Sequence, residues 1–166
     1  MKIILDEEKA AKESIKTGKI HNNIHTTIKI LIRYWDSIGM NKAQIRDEIE
    51  EFLIKNYKGF NSAKWQDDLD KKVKKYTKNK KPLIKVDNIK ITQNELDYLR
   101  GLENDIQERL AFTLLVYAKV GNVINSNNKN WVNADMKELF KDAKITGNNQ
   151  RKYKYIYKIK EYGGIY

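Results

Sequence analysis

NNQRKYKYIYKIKEYGGIY, from Asn148 to Tyr166, admits two secondary structures that lead to different folds. Read as a strand, Tyr153, Tyr155, Tyr157 and Ile159 alternate with Lys152, Lys154, Lys158 and Lys160, giving an aromatic face and a basic face that Ile156 interrupts. Read as a helix, Tyr155, Ile156, Ile159 and Tyr162 make one apolar stripe, and Arg151, Lys154 and Lys158 fall together on another side. Asn148 or Asn149 can cap its start, and Gly163–Gly164 suits its end. The run from Asn149 to Tyr162 is also longer than an ordinary strand. Helix is therefore the expected form, and the Tyr–Lys alternation a by-product of it.

Working back from the tail, KITGNN reads as a turn, and before it ADMKELFKDA reads as a helix capped by Asn133. Met136, Leu139, Phe140 and Ala143 form its inward stripe. Trp131–Val132 suggests a short strand after NVINSNNKN, Asn122 to Asn130, a polar loop. Further upstream, Ile106, Leu110, Phe112, Leu114, Leu115, Val116 and Tyr117 make a helix apolar nearly all round. Such a helix belongs at the centre of its domain, with Gly121 as its end. Thr92 and Glu95 have the spacing of a capping box that starts a further helix, and Gly101 and Asn104 break the chain between the two. Ile84, Val86, Ile89 and Ile91, placed around Asp87–Asn88, suggest one short strand or a small hairpin.

The lone proline, Pro82, marks a seam between basic KKVKKYTKNKK and strand-like LIKVDNIKIT. Ahead of it four helices are expected. The first, about Leu5 to Thr17, has only Ala10, Ala11 and Ile15 as apolar positions and reads as solvated or frayed. Asn23 caps a second bearing Ile24, Ile28, Leu31, Ile32 and Trp35, with Gly39 closing it. Asn41 caps a third bearing Ile45, Ile49, Phe52 and Leu53, with Gly59 beyond it. A fourth comes after Asn61–Ser62 and carries Trp65, Leu69, Val73 and Tyr76. Short helices are marginal alone, so these faces should close on one another. The expected fold is mainly α: a helical bundle over residues 1–82 and a second, helical domain with minimal β over 83–166.

A formal charge of +11 points to a polyanionic partner, nucleic acid first and an acidic protein surface second. Lys, Ile, Asn and Tyr have codons rich in A and T, so a compositional bias would raise lysine everywhere; where the charge sits matters more than its sum. With no cysteine there are no disulfides or thiolate sites. MKIILDEEKAAKES turns acidic too soon for a signal peptide, and no window approaches about 18 apolar residues. The expectation is a cytoplasmic protein of the cell interior, without membrane attachment. No phosphate loop, dinucleotide fingerprint, HExxH or GxSxG is present, and an enzyme or a cofactor is not expected.

The last two helices and the one before them resemble winged helix-turn-helix domains. MKELFKDAKI looks like the first helix of the motif and NNQRKYKYIYKIKEY like the recognition helix. Ile156 and Ile159 look like its buried positions, GGIY like the start of the wing, and ERLAFTLLVYAKV like the scaffold helix. RYWDSIGMNKAQIRDEIEEFLIKNY with this C-terminal half is also similar to phage and mobile-element proteins of low-GC Gram-positive bacteria, some associated with replication. The resemblance implies DNA binding in replication or transcription control, with the N-terminal bundle serving dimerisation or partner contact.

Under that reading Asn149, Gln150, Arg151, Lys154 and Lys158 are the contact candidates. Asn and Gln can pair with adenine and Arg with guanine in the major groove, while the lysines hold phosphates. Tyr153 and Tyr157 can stack on exposed bases, a mode more usual with single strands. Lys71, Lys72, Lys74, Lys75, Lys78, Lys80 and Lys81 form a second phosphate-binding candidate without sequence information. The bland reading is a solvated helix end, since Asp67, Asp68 and Asp70 upstream suit the helix dipole without a ligand. His21 and His25 share helical spacing but lack a third metal ligand, and capping with solvent exposure explains them better. The alternative function is a phage-encoded inhibitor, anti-CRISPR-like, that docks on a host protein or nucleoprotein complex; exposed Trp or Tyr would favour it.

Overall fold

Asn23, Asn41 and Asn61 each turn a side-chain oxygen onto a backbone amide three residues ahead, and each thereby starts a helix. The computed structural model describes residues 3–78 and 80–161 and divides into two compact units. Ile4–Lys85 forms the first; Ile3 and the residues from Val86 on form the second. Among the described residues the chain is mainly helical and forms no strand.

The first unit holds α1 (Glu7–Thr17), α2 (Ile24–Ser37), α3 (Lys42–Asn56) and α4 (Ser62–Thr77). α2 packs against each of the other three. That central place explains why Ile30 is buried along with the expected Ile24, Ile28, Leu31, Ile32 and Trp35. α3 contributes Ile45, Ile49, Phe52 and Leu53, and α4 contributes Leu69 and Val73, with Trp65 and Tyr76 packed at the margin.

α1 corrects an expectation. It is seated, not frayed: Ala10 and Ala11 are buried against α2, and Glu7 and Ser14 with them. The two alanines let the helices approach closely, while Ile15 is turned to solvent. Gly18 ends α1 at φ 72°, beside Asn56; a Cβ there would overlap the Asn56 amide, so the position needs glycine twice over.

Glu7 is the unit's buried charge, 2% exposed. Arg33 donates to its carboxylate at 2.7 Å, and the Ile84 amide at 3.0 Å. The Glu7 amide in turn donates to the Ile84 carbonyl at 2.9 Å, and Arg33 also reaches the Pro82 carbonyl. This clasp replaces the strand or hairpin expected over Ile84–Ile91. With only an isolated Asp6–Lys85 bridge beside it, the segment is extended chain tied to a helix end, without a partner strand to build a ladder.

The second unit holds α5 (Gln93–Arg100), α6 (Asp105–Ile124), a 3-10 turn (Ser126–Asn128), α7 (Met136–Asp142) and α8 (Asn149–Glu161). The Thr92–Glu95 capping box forms as expected. α6 is the central helix, touching α5, α7 and α8 and burying Leu110, Ala111, Tyr117, Ala118 and Val120. Tyr117 donates to Asp142 at 2.7 Å, and burial pushes its phenol well above the ordinary range.

Three boundaries differ from the sequence reading. Gly121 does not end α6, which runs to Ile124; the missing Cβ instead makes room for Asn128, whose amide nitrogen would lie 2.7 Å from it. Asp135, not Asn133, caps α7, accepting from the Lys137 amide at 2.8 Å. Trp131–Val132 is not a strand, because no neighbouring segment pairs with it, and Trp131 stands 71% exposed. The polar loop expected from Asn122 therefore begins inside a helix. Tyr162 and GGIY lie outside the described residues.

Replacing Glu7 with Ala would leave the Arg33 guanidinium, 10% exposed, and the Ile84 amide without their carboxylate and should cost about 3–5 kcal/mol. Lys12→Ala, which removes an exposed ion pair with Glu8, should leave stability unchanged. Urea unfolding followed by tryptophan emission separates the two, since Trp35 and Trp65 both report the first unit.

Candidate functional site

α7 ends in a Schellman motif: the Ile145 amide donates to Phe140 and the Lys144 amide to Lys141, with Lys144 left-handed at φ 54°. Ile145 is buried beside that reversal, which locks the turn. Gly147, at φ 117°, then redirects the chain, and Asn148 caps α8 through the Arg151 amide at 2.9 Å.

α8 is seated by Ile159, 1% exposed, with Tyr155 and Ile156 half-buried beside it in the core that includes Leu110, Leu139 and Phe140. Tyr153 meets the Phe140 ring edge-on at 6.1 Å, and the Lys152 ammonium lies 5.5 Å from the same ring. Lys152 is thus drawn toward α7. Helical spacing sends Gln150, Arg151, Lys154 and Tyr157 outward, and all four are exposed, as is Asn149 at the first turn. Lys158 shares this face but is half-buried, donating to Glu103 at 3.2 Å. The Arg151 guanidinium is steadied by the Tyr155 hydroxyl at 3.3 Å. Gln150, Arg151, Lys154, Tyr157 and Lys158 therefore fall on one side of α8, with Tyr153 and Asn149 on its flank.

Charge is concentrated on this helix. Residues 86–148 carry eight cations and nine acids, whereas α8 carries five cations and one acid. A genome-wide lysine bias would spread the excess along the unit; here the remainder is close to neutral and the whole excess lies on one element.

No family model matches the chain, and no curated protein or solved structure matches it either.

In the first unit Lys71, Lys74, Lys75 and Lys78 line the side of α4 opposite Leu69 and Val73, all four exposed. From Lys71 to Lys85 there are eight lysines and no acid. Lys72 is set apart by its ion pair with Asp68, and Asp70 is taken by Arg46 at 2.9 Å. Lys75 lies 5.4 Å from the Tyr76 ring.

The two histidines are used locally. His25 stacks on Trp65 at 5.6 Å, and His21 faces Glu13 at 3.4 Å without hydrogen-bond alignment. Among the described residues no group of three His, Asp or Glu is arranged to hold a metal ion. A cleft between α5 and α6 has a floor of Leu96, Leu99 and Phe112 under a rim of Arg100, Arg109, Asp105 and Glu108. Its two positive and two negative rim groups leave it without net charge.

Sequence reasoning missed Trp131, reading it only as part of a short strand. The flanking asparagines were the signal. Asn122 accepts from the Asn130 amide at 3.0 Å, Asn128 donates to the Trp131 carbonyl at 2.7 Å, and Lys129 and Asn130 are both left-handed. A loop so braced holds its indole in the open.

Ile159→Ala removes the one fully buried side chain of α8 and should cost about 2–5 kcal/mol of local stability. Hydrogen exchange should show residues 149–161 losing protection while α2 and α3 keep theirs.

Proposed function

We propose that the chain is a DNA-binding protein of a phage or mobile genetic element, acting in replication or transcription control, and that the outer face of α8 is its reading head. The carrying observation is the charge excess of the second unit, which resides wholly on that helix. α7, its locked turn and α8 serve as the helix-turn-helix of a winged-helix-like unit, with α6 as scaffold. Asn149, Gln150 and Arg151 sit at the helix start, where a recognition helix meets base edges. Lys154 and Lys158 hold phosphates farther along, and Tyr157 packs between them. The lysine stripe of α4 supplies affinity without sequence preference, and the bundle of the first unit is the place for self-association.

The reading is tested by replacing Arg151, Lys154 and Lys158 together with Ala in the full chain and measuring DNA affinity across a salt series. Affinity should fall about tenfold or more, and the slope of log K against log salt should shrink by about 2–3. Lys158 alone should matter least, because Glu103 already offsets its charge. An unchanged affinity and slope would remove α8 from the interface.

A second reading, an inhibitor docking on a host protein or nucleoprotein complex, is favoured by the exposure of Trp131 and Tyr157. Nuclease-resistant capture of one host protein, with no DNA binding by the purified chain, would put it first.

A further inference from the structure

We propose that the second unit takes single-stranded DNA, with Trp131 as one base-stacking surface and Tyr157 and Tyr153 of α8 as another; this rests on the DNA reading of α8. The large apolar side chains exposed in the two units differ in kind. In the first they are all aliphatic: Leu5, Ile15, Ile20, Ile38 and Ile54. In the second they are mostly rings: Phe112, Trp131, Tyr153 and Tyr157, with Val123. The exposed aromatics therefore fall in the unit whose positive charge is gathered on one helix. Cations that track a backbone, interleaved with rings that accept unpaired bases, are the requirement for binding a single strand.

Trp131 is what separates single strand from duplex. It is 71% exposed, outside any helix that could enter a groove, in a loop of asparagines with Lys129 beside it. In a duplex the base faces are already stacked on one another, and a flat indole gains nothing from them. Side chains that wedge into a duplex are typically Phe, Leu, Ile, Met or Pro. A protein partner would more naturally surround such a ring with apolar neighbours, whereas residues 125–130 are all polar or charged. The loop backbone that carries the ring is held: Asn128 donates to the Trp131 carbonyl and Asn122 clamps Asn130, so little backbone order remains to be imposed on binding. On α8, Tyr157 and Tyr153 stand one turn apart, about 6 Å along the axis. Phe140 braces Tyr153, and Lys154 lies between the two in sequence.

The test uses the full chain with an oligothymidylate and a duplex of equal length, read by anisotropy and by tryptophan emission. Trp35 is buried and Trp65 is packed against His25, so quenching by a stacked base reports Trp131. The oligothymidylate should bind more tightly than the duplex and quench the emission. Trp131→Ala should lose the quench and about tenfold in single-strand affinity, Trp131→Phe should recover part of that affinity, and duplex binding should not change. Duplex bound as tightly as the single strand or more so, or single-strand affinity unaltered in Trp131→Ala, would overturn the stacking inference and leave the DNA reading of α8 standing. Failure of both DNAs to bind at low salt would overturn that reading and this inference together.

Discussion

Ile159, buried against the α6 side of the second unit, divides α8 into an inner and an outer half. Its position decides which residues are hidden: Tyr155 and Ile156 turn inward with it, and helical geometry then obliges Gln150, Arg151, Lys154 and Tyr157 to face out. A slip of one residue in that seating would rotate the helix by about 100° and bring a lysine toward the core. The desolvation cost of an unpaired ammonium forbids it. The cationic face is thus a consequence of packing as much as of composition. A turn fixed by Ile145 and Gly147 sets where the helix begins, which places Asn149, Gln150 and Arg151 together in its first turn.

The first unit is organised differently. Its apolar content is heaviest in α2, which is enclosed by three neighbours, and its one deeply buried charge, Glu7, is spent on joining α1, α2 and the chain after Pro82. That clasp combines an ion pair with two backbone bonds, so the carboxylate is satisfied on several sides and its burial is tolerable. It also accounts for a segment that is neither strand nor loop. Ile84 has the β-branched character of a strand residue, but the partner it finds is a helix terminus. The exposed lysines of α4 lie on the far side from this packing and take no part in it, so they are available for contact without cost to the fold.

Much of this is legible in the amino-acid sequence, and for identifiable reasons. Asn23, Asn41, Asn61 and Thr92 announce helix starts because a side-chain acceptor at that point satisfies an amide the helix cannot. The stripes of α2, α3 and α4 were legible because an apolar repeat near 3.6 residues has few other uses. The same logic resolved the tail, where Ile156 spoils a strand and completes a helix. What could not be read depended on distant partners. Ala10 and Ala11 look too weak to seat a helix until α2 is seen beside them. Gly121 looks like a stop until Asn128 is found in the space its side chain would occupy. Val86 and Ile89 resemble a strand because propensity says nothing about whether another strand lies alongside.

Trp131 belongs to a separate class, since what hid it was its reading as part of a short strand. A tryptophan next to a valine suggests a strand, and the polar run before it reads as a loop. In the fold that run is bound to itself: Asn122, Asn128 and Asn130 form a closed set of side-chain and backbone bonds, and two consecutive residues hold left-handed backbone conformations that cost free energy. Slack loops do not carry such strain, because nothing in them would maintain it. The same bonds seat the 3-10 turn on α6, where Asn128 fills the space beside Gly121, and they leave the indole in solvent. The candidate surface of the second unit is therefore wider than its basic helix. It has a cationic part, which composition alone already hinted at, and an aromatic part, which emerges only when asparagine is read as a builder of rigid loops.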